Sequence, residues 1–233
     1  METQDRMEHR FFFSQRDRKI IVNRLLTHPK LTLSRFVYPV TETVYFLFEK
    51  THEFPDDFYV RMRRYVDSES KQIFIYRRSL FSLEIKTKDK GGTSKVMKIR
   101  TSINGRLAIK ILAHPEKNDI LSELPVLFPG IATQARRIHF VHSDCDLRVT
   151  LDQNISFFGF SGKNYFHGYQ MGLLKEGKIE FKNAGAGEII DLNMFEDEIL
   201  KDCRYHQESS LYLERKVLRC YSQWLKKQLP QSR

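Results

Sequence analysis

Several short stretches of the chain alternate apolar and polar side chains with a period of two. That is the pattern of a strand with one face in a core. Residues 58–66 (FYVRMRRYV) set Tyr59, Arg61, Arg63 and Tyr65 against Phe58, Val60, Met62, Arg64 and Val66. Residues 81–88 (FSLEIKTK) set Ser82, Glu84, Lys86 and Lys88 against Phe81, Leu83, Ile85 and Thr87. Residues 95–100 (KVMKIR) are less regular. In 147–155, Arg148, Thr150 and Asp152 oppose Leu147, Val149 and Leu151, and in 178–182, Lys178, Glu180 and Lys182 oppose Ile179 and Phe181. Glu8 and Arg10 stand in the same relation before Phe11. Helical spacing is rarer. It predicts helices over 15–27, 104–113 and 192–203, and most clearly over 210–229, where Leu213, Val217, Leu218, Tyr221, Trp224, Leu225 and Leu229 form an apolar stripe ended by Pro230. Such a stripe reads as a face that docks on the rest of the domain.

The breaks are short: 89–93 (DKGGT) reads as a turn, 121–130, with Pro125 and Pro129, as a loop, and 161–164 and 184–187 as small or polar connections. None has the make-up of a flexible linker. A single domain over 1–233 is therefore expected, of α+β class: an antiparallel sheet flanked by helices, with a C-terminal amphipathic helix. Aromatic residues make up 12% of the chain, including 18 Phe, which excludes a wholly disordered polymer. No apolar run reaches the roughly 20 residues of a membrane span. The N-terminal METQDRMEHR carries acids and reads as neither signal nor transit peptide. Three cysteines, Cys145, Cys203 and Cys220, are too sparse for a disulfide framework and suggest a reducing, cytoplasmic setting.

Charge changes the picture. The formal net charge is +10, which calls for an anionic partner: nucleic acid, an acidic membrane surface or a phosphorylated small molecule. On one strand, a basic face simply meets water. Here the pattern recurs in at least five segments whose other faces are largely apolar. If the sheet curls with its apolar side outward under helices, the basic faces line an interior channel. Arginine forks and lysines there would hold phosphate oxygens. Glu8, Glu84, Asp152 and Glu180 would offer hard oxygen ligands to Mg²⁺ or Mn²⁺. Charge turned inward in this way makes a nucleic-acid surface the weaker reading. His139, His142 and Cys145 lie three apart and lack a fourth zinc ligand, so they read as a turn between strands. No GxxxxGK[ST] loop is present.

RMRRY, LEIKTK, KVMKIR, RVTLDQNI and IEFK follow one another in this order. The series resembles the VTC polyphosphate polymerase domain, a branch of the CYTH or triphosphate tunnel metalloenzyme superfamily, from about residue 7 to residue 182. The resemblance implies an antiparallel β-barrel open at both ends, holding a nucleoside triphosphate, inorganic triphosphate or growing polyphosphate. It implies phosphate contacts from Arg10, Arg61, Arg63, Lys86, Lys95, Lys98, Arg100, Arg137, Arg148 and Lys182. Of these, Arg61, Arg63, Lys86, Arg137 and Arg148 surround the transferring group. It also implies a divalent metal on Glu180, one of the four acids that the charge pattern already offers as ligands. Two departures stand out: where the superfamily has ExExK this chain has Arg6, Glu8 and Arg10, and the late lysine motif has only SSLYLER as its nearest match. The expected activity is metal-dependent phosphotransfer of the polymerase kind. A triphosphatase or nucleotide cyclase, or a sensor that binds without turnover, remains as an alternative.

Overall fold

The computed structural model describes residues 2–6, 8–34, 39–48, 58–75, 79–88, 94–117, 121–161, 164–183, 192–195, 199–201 and 203–205. The helix expected over 210–229, Cys220 and the turn at 89–93 lie outside the described residues. The strands are β1 Glu2–Arg6, β2 Glu8–Ser14, β3 Leu31–Leu33, β4 Val40–Phe48, β5 Phe58–Val66, β6 Gln72–Phe74, β7 Leu80–Lys88, β8 Ser94–Asn104, β9 Leu127–His142, β10 Leu147–Ser161, β11 Asn164–Leu173, β12 Glu176–Asn183 and β13 Arg204–Tyr205. Two helices accompany them, α1 Arg18–Thr27 and α2 Gly105–Ala113. Within 192–203 the described helical residues are Asn193–Phe195 and 199–200.

All pairings are antiparallel, and the main path runs β1-β8-β7-β5-β4-β9-β10-β12-β2-β13, with β3, β6 and β11 as side branches. The expected closed barrel is corrected here, because β1 at one end of this path pairs neither with β2 nor with β13 at the other. The sheet is nonetheless strongly curled. Residue 7 alone separates β1 from β2, and Lys86 Nζ of β7 lies 2.8 Å from a Glu8 carboxylate oxygen of β2. A twisted antiparallel sheet rolls readily into this shape.

Strand parity decides which way each side chain faces. The apolar positions point to the convex side and pack under the helices. Val44, Phe46, Val60, Met62, Leu83 and Phe158 are buried with Ala108, Ile109 and Leu112 of α2. Phe11, Phe13, Val149, Leu151, Ile179 and Phe181 are buried with Ile21 and Leu25 of α1. Truncating one of these phenylalanines would cost about 3–5 kcal/mol. Helix α2 starts where Asn104 Oδ1 accepts the backbone N–H groups of Arg106 and Leu107, the usual answer to unpaired donors at a helix start. The 121–130 loop is shorter than expected, since β9 begins at Leu127. The RIHFVH segment is strand up to His142, with the turn confined to 143–146.

A bulge in β10 matters for the interior. Asn154 adopts φ 50°, a left-handed conformation that asparagine tolerates better than most residues. The register shifts between Gln153 and Ser156. Before the bulge Arg148 and Asp152 face the concave side; after it Ile155 and Phe157 do.

Candidate functional site

The concave side forms a cavity of about 210 Å³. Its cationic lining is Arg10, Arg61, Arg63, Lys86, Lys98, Arg137, Arg148, Lys178 and Lys182; its carboxylates are Glu8, Glu84, Asp152 and Glu180. Among the described residues, nine cations against four carboxylates leave a net +5, half of the chain's formal excess. The cross-strand registers bring them together. Arg61 lies opposite Glu84, and Glu84 opposite Lys98. Arg137 lies opposite Asp152, and Asp152 opposite Lys178. Lys182 lies between Arg148 and Glu8, and Glu180 opposite Arg10.

The charges are knit into ion pairs. Arg137 grips Asp152 with two parallel bonds, Nε to Oδ1 at 2.5 Å and Nη2 to Oδ2 at 2.6 Å, the bidentate form that suits a guanidinium. Lys178 Nζ reaches both Asp152 Oδ2 at 3.1 Å and Glu180 Oε1 at 2.9 Å. Arg10 Nε donates to Glu180 Oε1 at 2.7 Å, and its Nη2 to Glu8. Lys182 Nζ donates to Glu180 Oε2. Arg61 holds Glu84, with Nη2 at 2.8 Å from Oε2. Arg63 Nε donates to Thr43 Oγ1 at 3.1 Å.

Burial and charge pull the titrations in opposite directions. Burial would raise the Glu180, Asp152 and Glu8 carboxyls, but neighbouring cations overcome it and hold all three far below the usual carboxylate range. Burial outweighs the Glu8 carboxylate at Lys86 and pulls its ammonium down to about 8. Burial, then the Arg137 charge, brings His139 down to about 4. At Tyr65 burial would raise the phenol, yet Arg63, Arg137 and Lys182 together lower it.

Of the expected site residues, Glu8, Arg10, Arg61, Arg63, Glu84, Lys86, Lys98, Arg137, Arg148, Asp152, Glu180 and Lys182 all line this cavity. The side chains of Lys95 and Arg100 lie outside the described residues. His139 and His142, three apart on extended β9, do not come together with Cys145, which is exposed in the following turn. Sequence reasoning missed the β4 lining, Thr41, Thr43 and Tyr45. Their TxTxY alternation was readable. Parity put Lys178 on the same charged face as Glu180 and Lys182 without a place among the phosphate contacts, and the apolar end of the cavity was missed. There Tyr45, Leu47, Tyr59, Ile131, Ala135, Ile155 and Phe157 form a buried cluster on the concave face.

A divalent cation does not fit this arrangement. Every carboxylate of the cavity already accepts from an arginine or lysine. Among the described residues no three His, Cys, Asp or Glu side chains group to hold a metal ion.

No family model matches the sequence, and no curated protein matches it. Solved structures do match its fold. One is a candidate adenylate cyclase from Bacillus halodurans, 16% identical, TM-score 0.57, covering 91% of this chain and 98% of that one. Another is a candidate adenylyl cyclase from Hippeastrum with a dominant triphosphatase activity, 13% identical, TM-score 0.52, covering 92% of this chain and 96% of that one. This chain therefore shares the fold of these two structures, with its sheet left open between β1 and β13. No helix among the described residues is long and apolar enough to cross a membrane.

Proposed function

We propose that the cavity binds the triphosphate of a nucleotide, or inorganic triphosphate, and promotes phosphoryl transfer from it, with water as the acceptor. The observation that carries this reading is the convergence of nine cations on one concave face, in excess over the carboxylates that pair with them. Arg148, which is exposed, and Arg61, Arg63 and Lys98, which share only Glu84, would take the phosphate oxygens first. Arg137 and Lys86, fixed by Asp152 and Glu8, hold their positive charge in place without rearrangement. Positioning and fixed charge supply most of the rate in phosphoryl transfer, so no side-chain nucleophile is required. No step is routed through a metal ion, because the carboxylates present are already engaged.

Polyphosphate polymerisation is the finer alternative carried by the sequence resemblance. It has less support from the geometry. A growing chain has to run along cations, and one end of the concave face carries the apolar cluster instead. The whole of 1–233 is taken as one domain, and a cytoplasmic setting rests on the sparse cysteines.

Incubation of the purified protein with ATP or triphosphate, in Mn²⁺, Mg²⁺ or EDTA, tests the reading. Free phosphate without chains on a gel is expected. Long chains would restore the polymerase reading; tight binding with no product would leave a sensor; no binding at all would overturn the site.

A further inference from the structure

We infer that the guanidinium of Arg10 occupies the place of a bridging divalent cation between Glu8 and Glu180, so that triphosphate binds here without a resident metal ion. This rests on the cavity being the triphosphate site. Arg10 is 6% exposed, and Glu180 3%. Its Nε meets Glu180 Oε1 at 2.7 Å, and its Nη2 meets Glu8 Oε2, so a single planar group joins two carboxylates from adjacent strands. Both bridged oxygens, and Glu180 Oε2, are in demand from other groups as well. Glu180 Oε1 also accepts from Lys178 at 2.9 Å, and Oε2 accepts from Lys182 and, at 3.4 Å, from Thr150 Oγ1. Glu8 Oε2 also accepts from Lys86 at 2.8 Å.

A hard divalent cation wants about six oxygen ligands. To bridge the two acids it would have to displace the buried guanidinium that already joins them, and it would add charge to a lining whose described residues already carry a net +5. What such an ion supplies, a fixed positive charge joining protein carboxylates to a phosphate chain, Arg10 supplies from inside the fold. The residue type matters. A lysine ammonium is a compact point charge, whereas the arginine fork spans two carboxylates at once. The sequence departure at position 10 and the pairing of Glu8 with Glu180 are thus one feature. With arginine at position 10, those two acids hold a side chain rather than a metal.

The test titrates the full chain with inorganic triphosphate in EDTA and again in Mn²⁺, and follows Mn²⁺ alone by its electron paramagnetic resonance signal. For the native chain, affinities within about threefold in the two conditions, and no protein-bound Mn²⁺ signal, are expected. For Arg10→Ala, affinity in EDTA should fall roughly tenfold or more, the scale of a lost charge-assisted contact, and Mn²⁺ should recover it. A bound Mn²⁺ signal should then appear, and vanish when Glu180→Gln is added. Arg10→Lys, which keeps the charge but not the fork, gives a second reading if the alanine variant does not fold: it should acquire the Mn²⁺ signal in part. The inference is overturned if native affinity falls tenfold or more in EDTA, if the native chain binds Mn²⁺ at a site removed by Glu180→Gln, or if Mn²⁺ recovers neither variant. Native chain that takes up no triphosphate in either condition would instead overturn the cavity as the triphosphate site.

Discussion

The two walls of the cavity differ in how their charges are matched. On the β2-β12-β10-β9 wall, Arg10, Asp152, Arg137 and Glu180 are 2–8% exposed, and each touches an opposite charge. On the β5-β7-β8 wall, Arg61, Arg63 and Lys98 are only half-buried and share a single carboxylate, Glu84. Among the described residues the first wall sets five cations against three carboxylates and knits most of them into one ionic lattice, with Arg148 exposed at its edge; the second sets four cations against one carboxylate and has more charge to spare. Truncation on the first should therefore damage the fold, and truncation on the second should damage the ligand's hold.

The largest effect is expected for Arg137→Ala. It leaves Asp152 buried with the Lys178 ammonium, 3.1 Å away, to answer its charge. Breaking one partner out of a buried pair typically costs about 3–5 kcal/mol, more than the pair's net worth. Urea unfolding should show a loss of that size, and an unchanged midpoint would break the comparison.

Next comes Arg63→Ala. Its guanidinium Nε donates to neutral Thr43 rather than to a carboxylate, so about 1 kcal/mol of stability or less should go. Triphosphate affinity should fall roughly tenfold to a hundredfold, the value of one or two charge-assisted hydrogen bonds. Calorimetric titration beside unfolding separates the two. A stability loss equal to that of Arg137→Ala would show that both walls are scaffold.

Lys86 gives a smaller, pH-dependent effect. Burial is the main cause that pulls its pKa down to about 8 in the folded state, from an ordinary lysine value of 10.5. The folded state therefore binds fewer protons than the unfolded state between these two values. The lysine lowers stability most below pH 8, and stability recovers as pH rises from about 8 toward 10.5. Binding runs the other way, because deprotonation removes a cation from the site. Triphosphate affinity of the native chain should weaken through about pH 8 relative to Lys86→Arg, which stays charged. Parallel profiles would remove Lys86 from the ligand's surroundings.

Much of this layout was legible in the sequence, for a physical reason. Where one face of a strand is apolar and the other charged, parity reports both faces. That placed Glu8, Arg10, Arg61, Arg63, Glu84, Lys86, Arg148, Asp152, Glu180 and Lys182 on common faces, and those faces meet at the cavity. β4 escaped because it is buried on both sides from Val40 to Leu47, which blurs the contrast that alternation needs. β9 escaped because Gly130, Ala132 and Ala135 give little amplitude. Arg137 came from motif order, not from periodicity. The apolar cluster was hidden by the left-handed Asn154, which reverses the parity of β10 midway. Nor could alternation reveal whether the sheet's edges pair, since that depends on curvature accumulated over many strands.

The smallest effect should come from an ion pair with the same chemistry in a different place. Lys30 Nζ reaches Asp144 at the turn after β9, with the two side chains 48% and 55% exposed. Water and salt screen such a pair, and ordering two surface side chains offsets most of what it gains. Arg137–Asp152, by contrast, sits where few solvent dipoles can answer either charge. Lys30→Ala should therefore shift neither the urea midpoint nor triphosphate affinity measurably, at low or high salt. A clear loss of affinity at low salt alone would mean that the ligand senses charge beyond the cavity. The contrast between the two walls would then be one part of a field reaching over the rim to this turn.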